Sequence, residues 1–160
     1  MLRPARGLFT VSVPTRFRDE DASSSAVAAV PAIAHAVRAG VGVLALDHRD
    51  GAYSPTVGGF CTRVQAQDLD QLAVELQESV GRTGSPAGPP RVEVLPPAAA
   101  ADERVAVTYR SRSGGRVLDV VQVAGLAGPG RSCVVTASTD DATRDAALLT
   151  TVRDTLRLAG

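Results

Sequence analysis

Lysine and tryptophan are absent from this 160-residue chain, and its aromatics are three Phe and two Tyr. Without Lys there is no P-loop, no Schiff base and no catalytic lysine. All 17 basic residues are therefore Arg, and 17 acids bring the net charge to zero. In a chain rich in Ala, Val, Gly and Pro, this reads as the mark of a GC-rich genome. Neutrality excludes a broadly basic nucleic-acid binder, which needs an excess of positive charge against phosphate. Disorder driven by charge is excluded as well. Cysteine is scarce: Cys61 and Cys133 sit in apolar, strand-like contexts outside any CxxC or Cys/His spacing. No metal site is expected from them. Two inert buried thiols are expected, since a thiol packs as a small hydrophobe; a single buried disulfide is the alternative.

Long apolar runs are missing too. The most apolar window, Ala26 to Leu46, is broken by Pro31, His35, Arg38, Gly40 and Gly42. A membrane span needs about 20 predominantly apolar residues, so no membrane insertion is expected. Arg3 and Arg6 precede no signal-peptide apolar region, and no lipid-attachment Cys lies near the start. The expected location is cytoplasmic.

What is present suits one globular domain over 1–160, with hydrophobic residues at 44% and charged residues at 21%. Leu8 to Val13 reads as a strand ended by Pro14. Asp19 to Asp21 and Ser23 to Ser25 read as a polar loop whose serines can cap a helix. Val27, Val30, Ile33 and Val37 recur at helical spacing, with Pro31 in the early turns and Gly40 as the stop. Val41 to Leu46 is a buried strand followed by an Asp50-Gly51 turn. Val57 to Val64 is another, its Gly58 and Gly59 marking a bulge or a close backbone approach. Leu69, Leu72, Ala73, Leu76 and Val80 line one face of a helix that starts near Asp68 and stops at Gly81.

A breaker-rich loop over Arg82 to Pro90 leads to a short strand, Arg91 to Leu95. Three strands follow at Arg104 to Arg110, Gly115 to Ala124 and Ser132 to Ser138. Ser113-Gly114-Gly115 and Gly128-Pro129-Gly130 are the turns between them. Connections this short require antiparallel pairing. A last helix is predicted from Ala142 to Leu158, with Leu148, Leu149, Val152 and Leu156 as its buried stripe. The class is α+β, a mostly antiparallel sheet of six to seven strands with helices packed on it.

Phe9-Thr10-Val11-Ser12-Val13-Pro14 followed by Phe17, and Tyr53-Ser54-Pro55-Thr56-Val57 before the central helix, resemble the corresponding stretches of PsbP-like domains. The closing layout is similar as well: a hairpin at Ser113-Gly114-Gly115, a strand with Val121-Gln122-Val123, a strand Val134-Val135-Thr136-Ala137-Ser138 and a final helix. The departures are Phe17 where that superfamily carries Trp, Thr56 where it carries Asn, and the helical Val27–Arg38 segment in place of a short turn. Within the superfamily the chain resembles actinobacterial lipoproteins of the LpqN type and chaperones accompanying type VI secretion effectors. The resemblance implies a non-enzymatic domain that binds a protein partner.

Candidate chemistry is sparse. Asp47-His48-Arg49-Asp50 is the densest polar cluster, and His48 beside a carboxylate could serve acid/base work. Adjacent strand residues point to opposite faces, however, so Asp47 and His48 would not share a site. His35 reads as a boundary residue of its helix. No strained Ser turn is present. The Gly-rich stretches Gly81-Arg82-Thr83-Gly84-Ser85 and Gly114-Gly115-Arg116 lack a strand-to-helix setting and a P-loop Lys. Asp140-Asp141 reads as a dipole-favoured helix start. No cofactor and no metal are expected. The candidate partner-binding residues are Arg110, Arg112 and Arg116, flanking one hairpin turn, and Val27, Val30 and Val37 on the small-residue helix. The expected function is an adaptor or chaperone for a protein partner, with a secretion system as the natural setting. The alternatives are a small hydrolase or transferase using His48 with Asp47 or Asp50, a structural subunit of a larger assembly, and a homodimer.

Overall fold

The computed structural model describes residues 1–49, 53–83, 86–97 and 103–159. Its strands are β1 (Phe9–Thr10), β2 (Arg18–Asp19), β3 (Gly42–Leu46), β4 (Thr56–Arg63), β5 (Arg91–Leu95), β6 (Arg104–Ser113), β7 (Arg116–Leu126), β8 (Arg131–Thr139) and β9 (Arg157–Leu158). Its helices are α1 (Ser25–Ala28), α2 (Pro31–Arg38), α3 (Leu69–Thr83) and α4 (Ala146–Thr155). Seven strands form one antiparallel sheet in the order β2-β3-β4-β8-β7-β6-β5, and β1 pairs with β9 in a separate ribbon. The architecture is the α+β fold expected from the hairpin spacings.

Alternation along the strands sorts side chains onto two faces. On the first face Val43, Ala45, Val57, Val121, Val123, Cys133, Val135 and Ala137 meet Phe9, Val11, Leu148 and Val152 of α4, and Leu156 just beyond it. Those last three side chains are fully buried, and each is worth about 1.5–3 kcal/mol by burial alone. The second face is covered only at its flanks. There α1 and α2 bury Val27, Ile33 and Ala34 against Leu44. At the other flank α3 sets Leu72, Leu76 and Val80 over β5, β6 and β7.

The two turns form as the glycines require. Gly114 and Gly115 both have positive φ (55° and 77°) in the two-residue loop that puts Ser113 opposite Arg116. Asp68 accepts a hydrogen bond from the Gln71 amide at 2.8 Å and opens α3.

Several details differ from the sequence expectation. The Val27–Val37 segment is two helices, because Pro31 lacks the N–H a continuing helix needs and instead starts α2. Gly81 does not end α3, which runs on to Thr83. β4 carries no bulge: its register with β3 and β8 is continuous. Gly59 is instead a close approach, where a Cβ would stand 2.8 Å from Val135 Cγ2 and 3.0 Å from Phe9 Cζ. The last helix begins later than Ala142 and stops at Thr155; Leu156 is extended and Leu158 pairs with Phe9. Asp19, expected to open a polar loop, lies with Arg18 in a short edge strand on β3. The Asp50-Gly51 turn lies outside the described residues.

The expectation of two inert thiols is overturned. Cys61 and Cys133 are a disulfide, and no described cysteine is free. They face each other in the β4–β8 register with Cα atoms 4.0 Å apart, the close spacing of a non-hydrogen-bonded antiparallel pair. Nothing local foretells this, since the register depends on how β4, 72 positions upstream of Cys133, meets β8.

Candidate functional site

The middle of the second face is left open between the two helical flanks. Its floor is β4 and β8, whose outward positions are Thr56, Gly58, Phe60 and Thr62 on one strand and Ser132, Val134, Thr136 and Ser138 on the other. Phe60 divides the groove into two hollows. One, of about 760 Å³, lies toward α3 and is lined by Thr62, Ser132 and Val134 with Leu76, Ser79 and Arg82 of the helix. The second, of about 300 Å³, lies under α1 and α2 and is almost wholly apolar, with Ala26, Val30, Ile33, Leu44 and Leu46 around Gly58. Gly58 makes that hollow: a Cβ there would stand 3.4 Å from both Ile33 Cδ1 and Leu44 Cδ1.

At the end of the sheet where β3 and β8 finish, a charge cluster ties four segments together. Asp145 is fully buried at the start of α4. Its carboxylate accepts from Arg16 Nη2 at 2.9 Å, Arg49 Nη2 at 2.7 Å and Thr139 Oγ1 at 2.6 Å. Asp47 accepts from Arg16 Nε at 2.9 Å and Arg49 Nη2 at 2.7 Å. Burial pushes the Asp145 carboxyl upward, but the Arg49 and Thr139 hydrogen bonds and the Arg16 and Arg49 charges outweigh it and hold it below the ordinary carboxylate range. The Arg49 guanidinium is correspondingly raised, chiefly by its hydrogen bonds to Asp145. Two arginines matched to two carboxylates make a closed charge balance that braces the loop after β1, the end of β3 and the start of α4.

His48 stands apart from it. Its Nε2 lies 2.7 Å from Glu20 Oε1, and its side chain is 58% exposed. Glu20 also accepts from the Ser24 hydroxyl, and Ser24 in turn caps α1 by accepting from the Ala26 amide. Glu20 is held below its usual range first by Ser24 and then by His48. Asp47 and His48, just beyond the end of β3, thus point into different environments, Asp47 to Arg16 and Arg49 and His48 to Glu20, and Asp50 lies outside the described residues. His35 is exposed on α2. Among the described residues no three His, Cys, Asp or Glu side chains gather in a way that could hold a metal ion.

The candidate partner-binding residues fall in two places. Arg110 pairs with Asp119 at 3.5 Å and Arg116 with Asp140 at 2.9 Å, both beside the exposed Arg112. Val27 is fully buried under α1, Val37 is half-buried, and Val30 is 42% exposed on the rim of the apolar hollow. The groove residues Phe60, Thr62 and Thr136 escaped the sequence reading. Their signal was the run of small and polar side chains on one face of two central strands, which a sheet covered on both sides would not carry.

No protein-family model matches the chain, and no curated protein matches it by sequence. Among solved structures, LpqN of Mycobacterium tuberculosis, involved in cell envelope biogenesis, matches with a TM-score of 0.57. The identity is 11%, over 95% of this chain and 83% of that one. At that identity the likeness is one of fold.

Proposed function

We propose that this chain is a non-enzymatic binding module, an adaptor or chaperone that holds a segment of a protein partner in the groove between α2 and α3. The observation that carries this reading is the uncovered centre of the sheet. Its helices stand apart on the flanks and leave a trough with an almost wholly apolar hollow at one end and one of mixed polar and apolar lining at the other. Such a trough suits a peptide segment with an aliphatic anchor and a polar tail, because apolar burial supplies affinity and hydroxyls along the floor fix register. The charge cluster is a brace in this reading, since its carboxylates are already matched by arginines.

The setting we favour is the cell envelope, on two supports. The Cys61–Cys133 disulfide belongs to an oxidising compartment in most mesophilic proteins, and the LpqN likeness is to an envelope-biogenesis protein. Association with a secretion system fits the same setting.

The test is affinity capture from the native host with the wild-type chain and with Val30→Arg/Thr62→Arg, two rim positions whose substitution narrows the trough without entering the core. A partner enriched by the wild type, lost with the double variant and kept by Arg112→Glu supports the groove. A partner captured equally by all three, or by none, sinks it.

A further inference from the structure

The net charge of zero hides an uneven placement of arginines. Arg16, Arg49, Arg110 and Arg116, near the end of the sheet where β8 finishes, are paired with acids, while Arg18, Arg112 and Arg144 near that end are exposed with no such side-chain partner among the described residues. The opposite end, where β3 and β8 begin and β4 finishes, presents Arg3, Arg6, Arg38, Arg63 and Arg131. All five are exposed, and none of their guanidinium groups has an acid or hydrogen-bond partner among the described residues.

Backbone contacts gather them. The Arg6 amide donates to Gly40 O at 2.9 Å, two residues beyond Arg38, and the Cys61 amide donates to Val41 O at 3.1 Å, two residues before Arg63. Arg3 folds its guanidinium over Gly7 in the same N-terminal turn as Arg6. Arg63 stands directly opposite Arg131 in the β4–β8 register, on the same side as the disulfide. Like charges directly opposed across strands repel, so this pair carries a standing cost that an external anion relieves. The exposed acids at this end, Asp68, Asp70, Glu103 and Asp154, sit on its flanks, at the start of α3, before β6 and late in α4.

We propose that this arginine-bearing end is a peripheral docking surface for an anionic phospholipid bilayer, held by guanidinium–phosphate contacts without insertion. Its form favours a broad surface over the other polyanions. The five arginines come from separate segments spread across one end, whereas a nucleic-acid reader offers a helix or ribbon to a groove or aromatics to stacked bases. Phe9 and Phe17 are buried, and Phe60 lies in the groove on the second face. A protein interface centres on apolar side chains. Among the described residues the exposed large ones are Val30 on α1's flank, Val74 on α3, Val94 on the β5 edge and Met1, so only Met1 stands beside the arginines.

Each arginine at an anionic membrane surface is worth about a five-fold gain in partitioning. The experiment is co-sedimentation of the oxidised protein with large vesicles of phosphatidylcholine alone and of phosphatidylcholine mixed with phosphatidylglycerol. Binding should require phosphatidylglycerol and weaken with salt. Arg63→Glu/Arg131→Glu should lose at least about 20-fold in partitioning, whereas Arg112→Glu, at the far end, should bind as the wild type does. Urea midpoints confirm that both variants fold. Equal binding to both vesicles, no binding to either, or equal losses in the two variants overturns the proposal. So does capture by polyglutamate without capture by vesicles, which would assign the surface to an acidic protein instead.

Discussion

Removing the Cys61–Cys133 crosslink should cost this protein a large part of its stability. The bridge joins strands that are neighbours in space but 72 positions apart in the chain, so in the unfolded state it closes a loop containing α3 and β5 to β7. The chain-entropy relation for a loop of that length gives about 4 kcal/mol. Little packing is lost with it, because alanine at the fully buried Cys133 site removes a single sulfur. For a domain of this size each kcal/mol shifts Tm by about 2–4 °C, so Cys61→Ala/Cys133→Ala should melt about 12 °C below the wild type. Urea unfolding of oxidised wild type, reduced wild type and the double variant is the assay, with thiol alkylation reporting the redox state. The two crosslink-free forms should agree with each other and lie about 4 kcal/mol below the oxidised form. A difference below about 1 kcal/mol, or alkylation of the unreduced protein, would refute the reasoning.

Asp145→Asn should destabilise by about 1.5–3 kcal/mol at neutral pH, because it removes the buried carboxylate that Arg49 and Thr139 donate to, while Arg16 and Arg49 keep Asp47. The folded-state pKa of Asp145 is depressed, so its contribution is complete above the unfolded value of about 3.9 and disappears as pH falls through the folded value. Urea midpoints of wild type and variant should therefore converge in acid, and a gap that stays constant would contradict the linkage. Two glycine substitutions should act in opposite directions: Gly59→Ala forces a Cβ to 2.8 Å from Val135 and should cost about 1–3 kcal/mol. Gly81→Ala, inside α3 with nothing within 4 Å, should add about 0.5–1 kcal/mol. Thermal melts of the two variants check both signs.

Elements whose cause is local were legible. The Gly114-Gly115 turn, the 3.6-residue recurrence of Leu69, Leu72, Leu76 and Val80, and the apolar run of β3 each depend on a few neighbouring residues. Errors arose where a distant partner intervened. The apolar spacing of Leu149, Val152 and Leu156 continues a helix on paper, yet Leu158 leaves it to pair with Phe9 at the other end of the chain. The candidate site was less legible than the fold, because a groove is defined by where α2 and α3 fail to cover the sheet, and helical periodicity carries no record of lateral position.

Charge and cysteine show the same division. Composition determined that the chain is neutral, that its cations are all arginine and that lysine chemistry is closed to it. Hairpin spacing determined an antiparallel α+β sheet. Only the tertiary structure decided that β4 lies beside β8, which sets Cys61 against Cys133 and, two residues on, Arg63 against Arg131. It also decided that Arg16 and Arg49 meet Asp47 and Asp145 in a brace at one end of the sheet, while Arg3, Arg6, Arg38, Arg63 and Arg131 gather exposed at the other. The physical reason is that register between distant strands and the docking of helices on a sheet depend on packing summed over the whole molecule, whereas propensity and periodicity act within a few residues of each position.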